Sequence, residues 1–443
     1  MFYGRLVGHL LRWALIPSVL AGSSKRHVDD TLMVPEYVTK YAPLVWLHSE
    51  DPFRPSDIGE HLKHTTAKLN GKPISGLPAL NLDNLELLNA HGKEVALTSN
   101  DDVETPSQWL FGETPNASGK LDSAIPCAVI MLEKTPRDVD VYYFYFYSYD
   151  RGANITQVLP PFNHIMDPNK TERKIHYGDH VGDWENNMIR FRDGVPTGIY
   201  YSQHRDGQAF DWDDEGIQKE NNRPAVYSAY GSHANYAANG TFVHDDVLLD
   251  YCDAGLLWDP IQSAYFYRLD VDAFTVKRLF HKAEHQADSN LTSWFYYEGR
   301  WGDMQYPDSD PRQRKVPHFG LPRFVSGPTG PRTKQLIRKG LYPDHRNKKT
   351  WLQIGIEIVM LKGWKRWAAA IISVVLLGSL LAAMIVCCVL GTRLISRGLP
   401  LIPLIIQKLG QRFGRRGYQK VESEEDIRLD VRGGEDSRYR ELV

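Results

Sequence analysis

The segment Gly178-Asp179-His180-Val181-Gly182-Asp183-Trp184-Glu185 sets four metal-competent side chains in a row of eight residues. In a strand, positions two apart share a face, so Asp183 and Glu185 would point together with Trp184 opposed to them. His180 joins that face only if the chain bends at Gly182, which glycine allows. Neighbouring carboxylates in a half-buried place need a cation, a basic partner or a shared proton. Asp150, which closes the aromatic run Val141 to Tyr149, is a third carboxylate able to converge on the same sheet end. Asp150, His180, Asp183 and Glu185 are therefore candidate metal ligands. Oxygen-rich ligation with one imidazole suits a divalent Mg²⁺, Ca²⁺ or Mn²⁺ better than structural Zn²⁺. The competing expectation is a loop-fixing network in which the same residues pair with Arg190, Arg192 or backbone amides.

A second constellation is Val226-Tyr-Ser-Ala-Tyr-Gly-Ser-His-Ala-Asn-Tyr236. A short strand ends at Gly231 and delivers Ser232, His233 and Tyr236 into a turn. His233 can be a further ligand, a donor behind the ligands, or a general base. Ser232 beside His233 makes no triad, because adjacent side chains point apart and the Gly-x-Ser-x-Gly elbow is missing. Tyr236 and Trp184 join His233 as candidate ligand-binding groups, and His204 reads as a strand-end histidine.

These groups must be held by strands. The run Val141-Tyr-Tyr-Phe-Tyr-Phe-Tyr-Ser-Tyr149 is aromatic on both faces, as in a central strand covered from two sides. Further strands are expected at Leu44 to His48, Ala128 to Leu132, Trp184 to Phe191, Ile199 to His204, Ala225 to Ala229 and Tyr265 to Leu269, punctuated by turn residues. Helices are expected from Pro55-Ser56-Asp57 to Lys63 and over Asp270 to His281. The fold class is mainly β: a β-sandwich with long decorated loops, followed by one transmembrane helix.

The chain has 443 residues, a formal net charge of −2 and no basic patch, which argues against a nucleic-acid partner. From Ala368 to Gly391 no residue is charged, a run long enough to cross a bilayer, with Trp364 and Trp367 where an interfacial belt would lie. Sequons at Asn116, Asn154, Asn169, Asn239 and Asn290 all precede that run. They put the N-terminal part in the secretory lumen and the C-terminal tail in the cytosol. Residues 1–30 form a signal-like segment, 31–325 the lumenal β-sandwich, 326–367 a juxtamembrane linker, 368–391 the span and 392–443 the tail. Cys127 and Cys252 are the two cysteines before the span and would pair in an oxidising lumen, or stay as buried thiols. In the tail, Tyr418 to Val421 and Tyr439 to Leu442 are Tyr-x-x-apolar tetrapeptides that look like signals read by sorting adaptors.

Four ordered motifs carry a resemblance: Tyr41 to Asp57, His180-Val-Gly-Asp-Trp-Glu185, Tyr200-Tyr-Ser-Gln-His204 and Tyr230-Gly-Ser-His-Ala-Asn-Tyr236. Together, over about residues 35–325, they resemble the vacuolar protein sorting-associated protein 62 family. This implies a role in delivery of proteins to the vacuole, with no established reaction. More distantly, the central motif is similar to the Gly-His-x-His-Asp-Trp-Glu heptapeptide of necrosis-inducing secreted proteins, which are β-sandwiches holding a divalent cation. That likeness implies metal-binding roles for His180, Asp183 and Glu185, and places Asp150 and His233 at further site positions. Gly182 stands where the second histidine would be, and Ala234-Asn235 where two glycines would be, so the likeness carries metal binding further than lytic activity. The function expected is a single-pass membrane glycoprotein of the secretory and vacuolar route, acting in trafficking, whose lumenal domain binds a divalent cation and through it a ligand. The alternatives are a metal-dependent hydrolase in which His233 moves the proton, and a protein that binds a lipid or glycan head group.

Overall fold

The computed structural model describes residues 32–160, 162–166, 175–204, 206–244, 247–281, 290–315, 320–344 and 363–396. The signal-like segment, Asn169 and the tail motifs at Tyr418, Val421, Tyr439 and Leu442 lie outside them. Two compact units divide the chain, Met1–Glu357 and Ile358–Val443.

The first unit is mainly β. Its larger sheet has seven strands in the order Asp206–Asp211, Val195–Gln203, His180–Arg192, Asp138–Asp150, Cys127–Glu133, Ala264–Asp270, Thr275–Leu279. All neighbours are antiparallel except Cys127–Glu133 and Ala264–Asp270, which run parallel. A smaller mixed sheet orders Lys219–Glu220, Arg223–Ser228, Leu44–Leu47 and Leu256–Trp258, with Asn235–Tyr236 paired to Arg223–Ser228.

The Asp138–Asp150 strand is why these layers stack. Its aromatic side chains alternate, so Tyr143, Tyr145 and Tyr147 enter the core shared with Val45, Leu47, Val226 and Trp258 of the smaller sheet. Tyr142, Phe144 and Phe146 enter a second core with Trp184, Leu85, Leu97, Trp294 and Trp301. Both faces of the large sheet are thus removed from water, as the doubly aromatic pattern requires. The short helix Ile58–Lys63 starts at Asp57, whose side chain accepts from Glu60 N at 2.7 Å, a cap of the kind that contributes about 1 kcal/mol.

Three expectations are corrected. The helix expected over Asp270 to His281 is instead a hairpin between Ala264–Asp270 and Thr275–Leu279. Asp270 Oδ1 accepts from the backbone of Asp272 and Ala273 and closes a turn, and Val276 and Leu279 are buried by the strand they form. Residues 326–344, expected to be linker, pack on the sandwich: Leu336 is buried in the second core and its carbonyl accepts from Tyr142 Oη at 2.8 Å. Cys127 and Cys252 are free buried thiols. They occupy different apolar clusters, Cys127 between the sheets and Cys252 beside Tyr227 and Tyr236, and burial pushes both thiols well up.

The second unit contains the helix Gly363–Ser396. Its Ile371–Leu390 stretch, with mean hydropathy 2.8, is long and apolar enough to cross a membrane.

Candidate functional site

His180–Arg192 pairs with Asp138–Asp150 over its whole length, and the register sets Asp150 opposite His180 and Tyr147 opposite Asp183. By alternation alone His180 and Asp183 would face opposite ways. Gly182 takes a left-handed φ of 70° between them, a region that side-chain-bearing residues seldom enter. The carbonyl of Trp301 lies 2.3 Å from where a Cβ at Gly182 would sit, so no larger residue, histidine included, fits there.

With that bend, ligand atoms of Asp150, His180 and Asp183 all lie within 4.8 Å of one another. His180 Nε2 is 3.7 Å from Asp150 Oδ2, and its other nitrogen, Nδ1, donates to Gly182 O at 2.8 Å. The backbone contact fixes the proton on Nδ1 and leaves Nε2 with a lone pair directed at the carboxylates, the tautomer that metal ligation requires. Glu185 adjoins this trio without being one of its three converging members, and Ser202 Oγ donates to it. Behind Asp183 stands His233, whose Nδ1 is 3.0 Å from Asp183 Oδ2 and whose Nε2 is 3.5 Å from Asp51 Oδ2.

The electrostatics are those of carboxylates short of positive charge. Burial, reinforced by the charges of Asp183 and Asp179, pushes the Asp150 carboxyl well above its ordinary range. Burial and Asp183 push Glu185 up to about 8, and burial takes Asp179 up to about 6. The two arginines of the same strand are engaged elsewhere. Arg190 Nε binds the fully buried Asp140 at 2.7 Å, and Arg192 Nε binds Asp138 at 2.8 Å, at the far end of the same strands. A loop-fixing network with Arg190 or Arg192 is therefore absent at this cluster. Lys334 offsets part of the burial of Glu185, and Arg323 and Arg151 part of that of Asp179; the donor set of Asp150, His180 and Asp183 also fits a divalent cation.

The other expected site residues divide. Trp184 points to the opposite face, fully buried and stacked on Trp294 at 5.5 Å, so it is a core residue rather than a ligand-binding one. Tyr236 reaches a different carboxylate, donating to Asp250 Oδ2 at 2.7 Å. There His204, His244 and Asp250 form a second group whose ligand atoms lie within 4.8 Å. Asp51, 3% exposed, was not singled out in the sequence although it lies inside the Tyr41 to Asp57 motif. Its neighbours could have pointed to it: Glu50-Asp51-Pro52 is an acidic turn, and the structure uses it to accept from Gly231 N at 2.8 Å. Asp179, counted in the initial run, is satisfied by Tyr149 Oη and Gly152 N at 3.0 Å each.

A polar cavity of about 450 Å³ is lined by His48, Glu50, Asn154, Tyr230, Tyr251 and Asp253 among others, without Asp150, His180 or Asp183. His48 to Glu50 run directly into Asp51, and Tyr230 precedes the turn that carries His233.

The fold and these groups define a mainly β protein with two His/Asp clusters able to chelate a divalent cation. The family model for vacuolar protein sorting-associated protein 62 matches residues 168–335. TDA6 of Saccharomyces cerevisiae is 31% identical over 342 residues, covering 70% of this chain and 68% of that protein. Vacuolar protein sorting-associated protein 62 of the same yeast is 30% identical over 340 residues, covering 70% of this chain and 67% of its own. The chain belongs to the vacuolar protein sorting-associated protein 62 family. Among solved structures there is a weak likeness to a non-toxic protein, HaNLP3, with 13% identity, a TM-score of 0.25 and coverage of 53% of this chain and 76% of that one. Necrosis and ethylene inducing protein 2 from the agent of cocoa's Witches Broom disease gives 12% identity and a TM-score of 0.23, covering 47% of this chain and 69% of that one.

Proposed function

We propose that this protein is a binding component of vacuolar protein sorting, anchored by the helix Gly363–Ser396, whose β domain holds a hard divalent cation and through it a polar head group of a lipid or glycan. The observation that carries the reading is the convergence of Asp150, His180 and Asp183 within 4.8 Å, on a strand bend that only glycine accommodates. Mg²⁺, Ca²⁺ or Mn²⁺ fits this set because two carboxylates and the nearby Glu185 supply oxygen and negative charge. The polar cavity whose lining segment His48 to Glu50 runs into Asp51, with Tyr230 and Tyr251 as flat surfaces and Glu50 and Asp253 as acceptors, offers the hydroxyl-binding and ring-stacking contacts that a sugar-like head group uses. His233 lies buried flat against Tyr147, with ring centroids 3.8 Å apart, which suits a group that holds Asp183 in place. The sequons upstream of the helix support a lumenal position for the domain and a cytosolic tail. Elemental analysis of the full-length protein, purified in detergent, tests the reading. One equivalent of Mg²⁺, Ca²⁺ or Mn²⁺ is expected, and it should be lost when Asp183→Ala is combined with Glu185→Ala. Metal content that this double variant leaves unchanged would overturn it.

A further inference from the structure

The hairpin Gly240–His244 with Leu248–Cys252 brings a second set of donors together. Phe242 pairs with Asp250, so His244, two residues along, shares the face from which Asp250 projects. Across from them the strand Val195–Gln203 ends and His204 turns into a left-handed conformation, φ 50°. That turn lays its ring on the ring of His244, with centroids 3.7 Å apart and planes 11° from parallel. Both imidazoles present Nε2 to one carboxylate: His204 at 2.7 Å from Asp250 Oδ2, and His244 at 3.5 Å from Asp250 Oδ1.

Asp250 is fully buried. Ser232 Oγ donates to its Oδ1 at 2.8 Å and Tyr236 Oη to its Oδ2 at 2.7 Å. Such donors orient a carboxylate behind a metal and leave room for it to ligate. In a tetrahedral site with bonds of about 2.0–2.1 Å, neighbouring donor atoms stand roughly 3.3 Å apart; the two nitrogen–oxygen spacings found bracket that value, and the stacked rings must splay for both Nε2 lone pairs to meet one ion.

We propose that His204, His244 and Asp250 form a second cation site, selective for a borderline transition metal such as Zn²⁺. Two imidazoles and one carboxylate match the ligand set of open zinc sites, three protein ligands with one position left for water or a ligand. A single anionic oxygen donor is too little for Ca²⁺ or Mg²⁺, which take mostly oxygen. The two clusters therefore differ in hardness. Ser232, which supports Asp250, and His233, which supports Asp183, are consecutive, so one turn braces both.

Cobalt substitution tests the site, because Co²⁺ in a tetrahedral nitrogen–oxygen environment absorbs visibly and Co²⁺ in water scarcely does. Titration of the full-length protein in detergent, with excess Mg²⁺ present, is expected to give visible bands that saturate at one equivalent of Co²⁺ and are bleached by Zn²⁺. His204→Gln with His244→Gln should abolish them, whereas Asp183→Ala with Glu185→Ala should keep them. Tyr236→Phe, which removes only a donor to Asp250, should weaken the affinity for Co²⁺ about 10- to 100-fold, and it decides the matter should the histidine variant not fold. Absence of bands in the wild-type protein, or bands that survive in the folded histidine variant, or an unaltered affinity in Tyr236→Phe, would each overturn the proposal.

Discussion

His233 Nδ1 lies 3.0 Å from Asp183 Oδ2, across a contact between residues 50 positions apart. The histidine can reach because Gly231, at φ 81°, brings the turn against the end of the aromatic strand, where Arg151 N donates to Gly231 O at 3.0 Å. His233 itself takes a left-handed φ of 53°, a conformation that costs about 1 kcal/mol or more and persists where the surroundings impose it. The backbone is thus bent at two turns, Gly182 and Gly231-Ser232-His233, which set the imidazole of His180 beside Asp150 and that of His233 behind Asp183.

If His233 serves by orienting Asp183, its removal should weaken cation binding without abolishing it. His233→Ala is expected to reduce affinity about 10- to 100-fold, the usual effect of losing a group behind a metal ligand. His233→Asn, whose amide nitrogen can replace Nδ1, should recover part of the loss. Calorimetric titration with Ca²⁺ and Mn²⁺ reads both variants, and equal affinity in wild type and His233→Ala would remove the bracing role.

The pH dependence follows from Glu185. Its carboxyl is raised to about 8 in the fold by burial and by Asp183, from an ordinary value near about 4.3. Between those values the folded, cation-free protein binds a proton that the unfolded chain does not, so stability falls as pH rises, by up to about 1.4 kcal/mol per pH unit for this group. Asp179, raised to about 6, adds to the fall at the lower end. A bound cation replaces those protons, so the stabilisation it provides should grow over the same window. Urea unfolding at pH 6 and pH 8, with chelator and with Ca²⁺, checks the sign. Glu185→Gln should flatten the chelator curve, and a cation-free protein that gains stability from pH 6 to pH 8 contradicts the assignment.

Gly182 leaves no room for a side chain. An alanine there would adopt a left-handed conformation at roughly 1–2 kcal/mol and would set its Cβ 2.3 Å from Trp301 O, so a total loss of about 3 kcal/mol or more is expected. Guanidinium unfolding measures it. Cation affinity should fall in parallel, since the Gly182 carbonyl fixes the His180 tautomer. A neutral Gly182→Ala would mean that the strand bend is not needed.

The alternation of Tyr and Phe over Val141 to Tyr149 made the two-sided burial of that strand legible, and the spacing of Asp183 and Glu185 made their common face legible. The convergence of Asp150 with His180 was legible only as a conditional, because it depends on φ at Gly182, which residue type permits without dictating. His244 and Asp250 were out of reach for a different reason. Each is brought to its cluster by tertiary contacts, such as the 46-position gap between His204 and Asp250, and no local period encodes a contact of that kind. The helix expected over Asp270 to His281 fails because Asp270 closes a turn with its own side chain, a local hydrogen bond that competes with a helix start.

The proposed lumenal placement would make the sequons accessible to glycosylation, and the fold distinguishes among them. Asn116, Asn239 and Asn290 are exposed, so glycans there would extend into solvent. Asn154 differs: its Oδ1 accepts from Thr156 N at 2.8 Å and Thr156 Oγ1 at 2.6 Å, and its side chain lines the polar cavity. A glycan on Asn154 would crowd the cavity mouth and compete with a head-group ligand. Endoglycosidase digestion of protein from secretory membranes is expected to raise gel mobility, with stepwise increases for Asn116→Gln, Asn239→Gln and Asn290→Gln. Asn154→Gln should, in addition, change binding to vesicles that carry glycolipid. A wild-type chain with unaltered mobility after digestion would place the β domain outside the lumen.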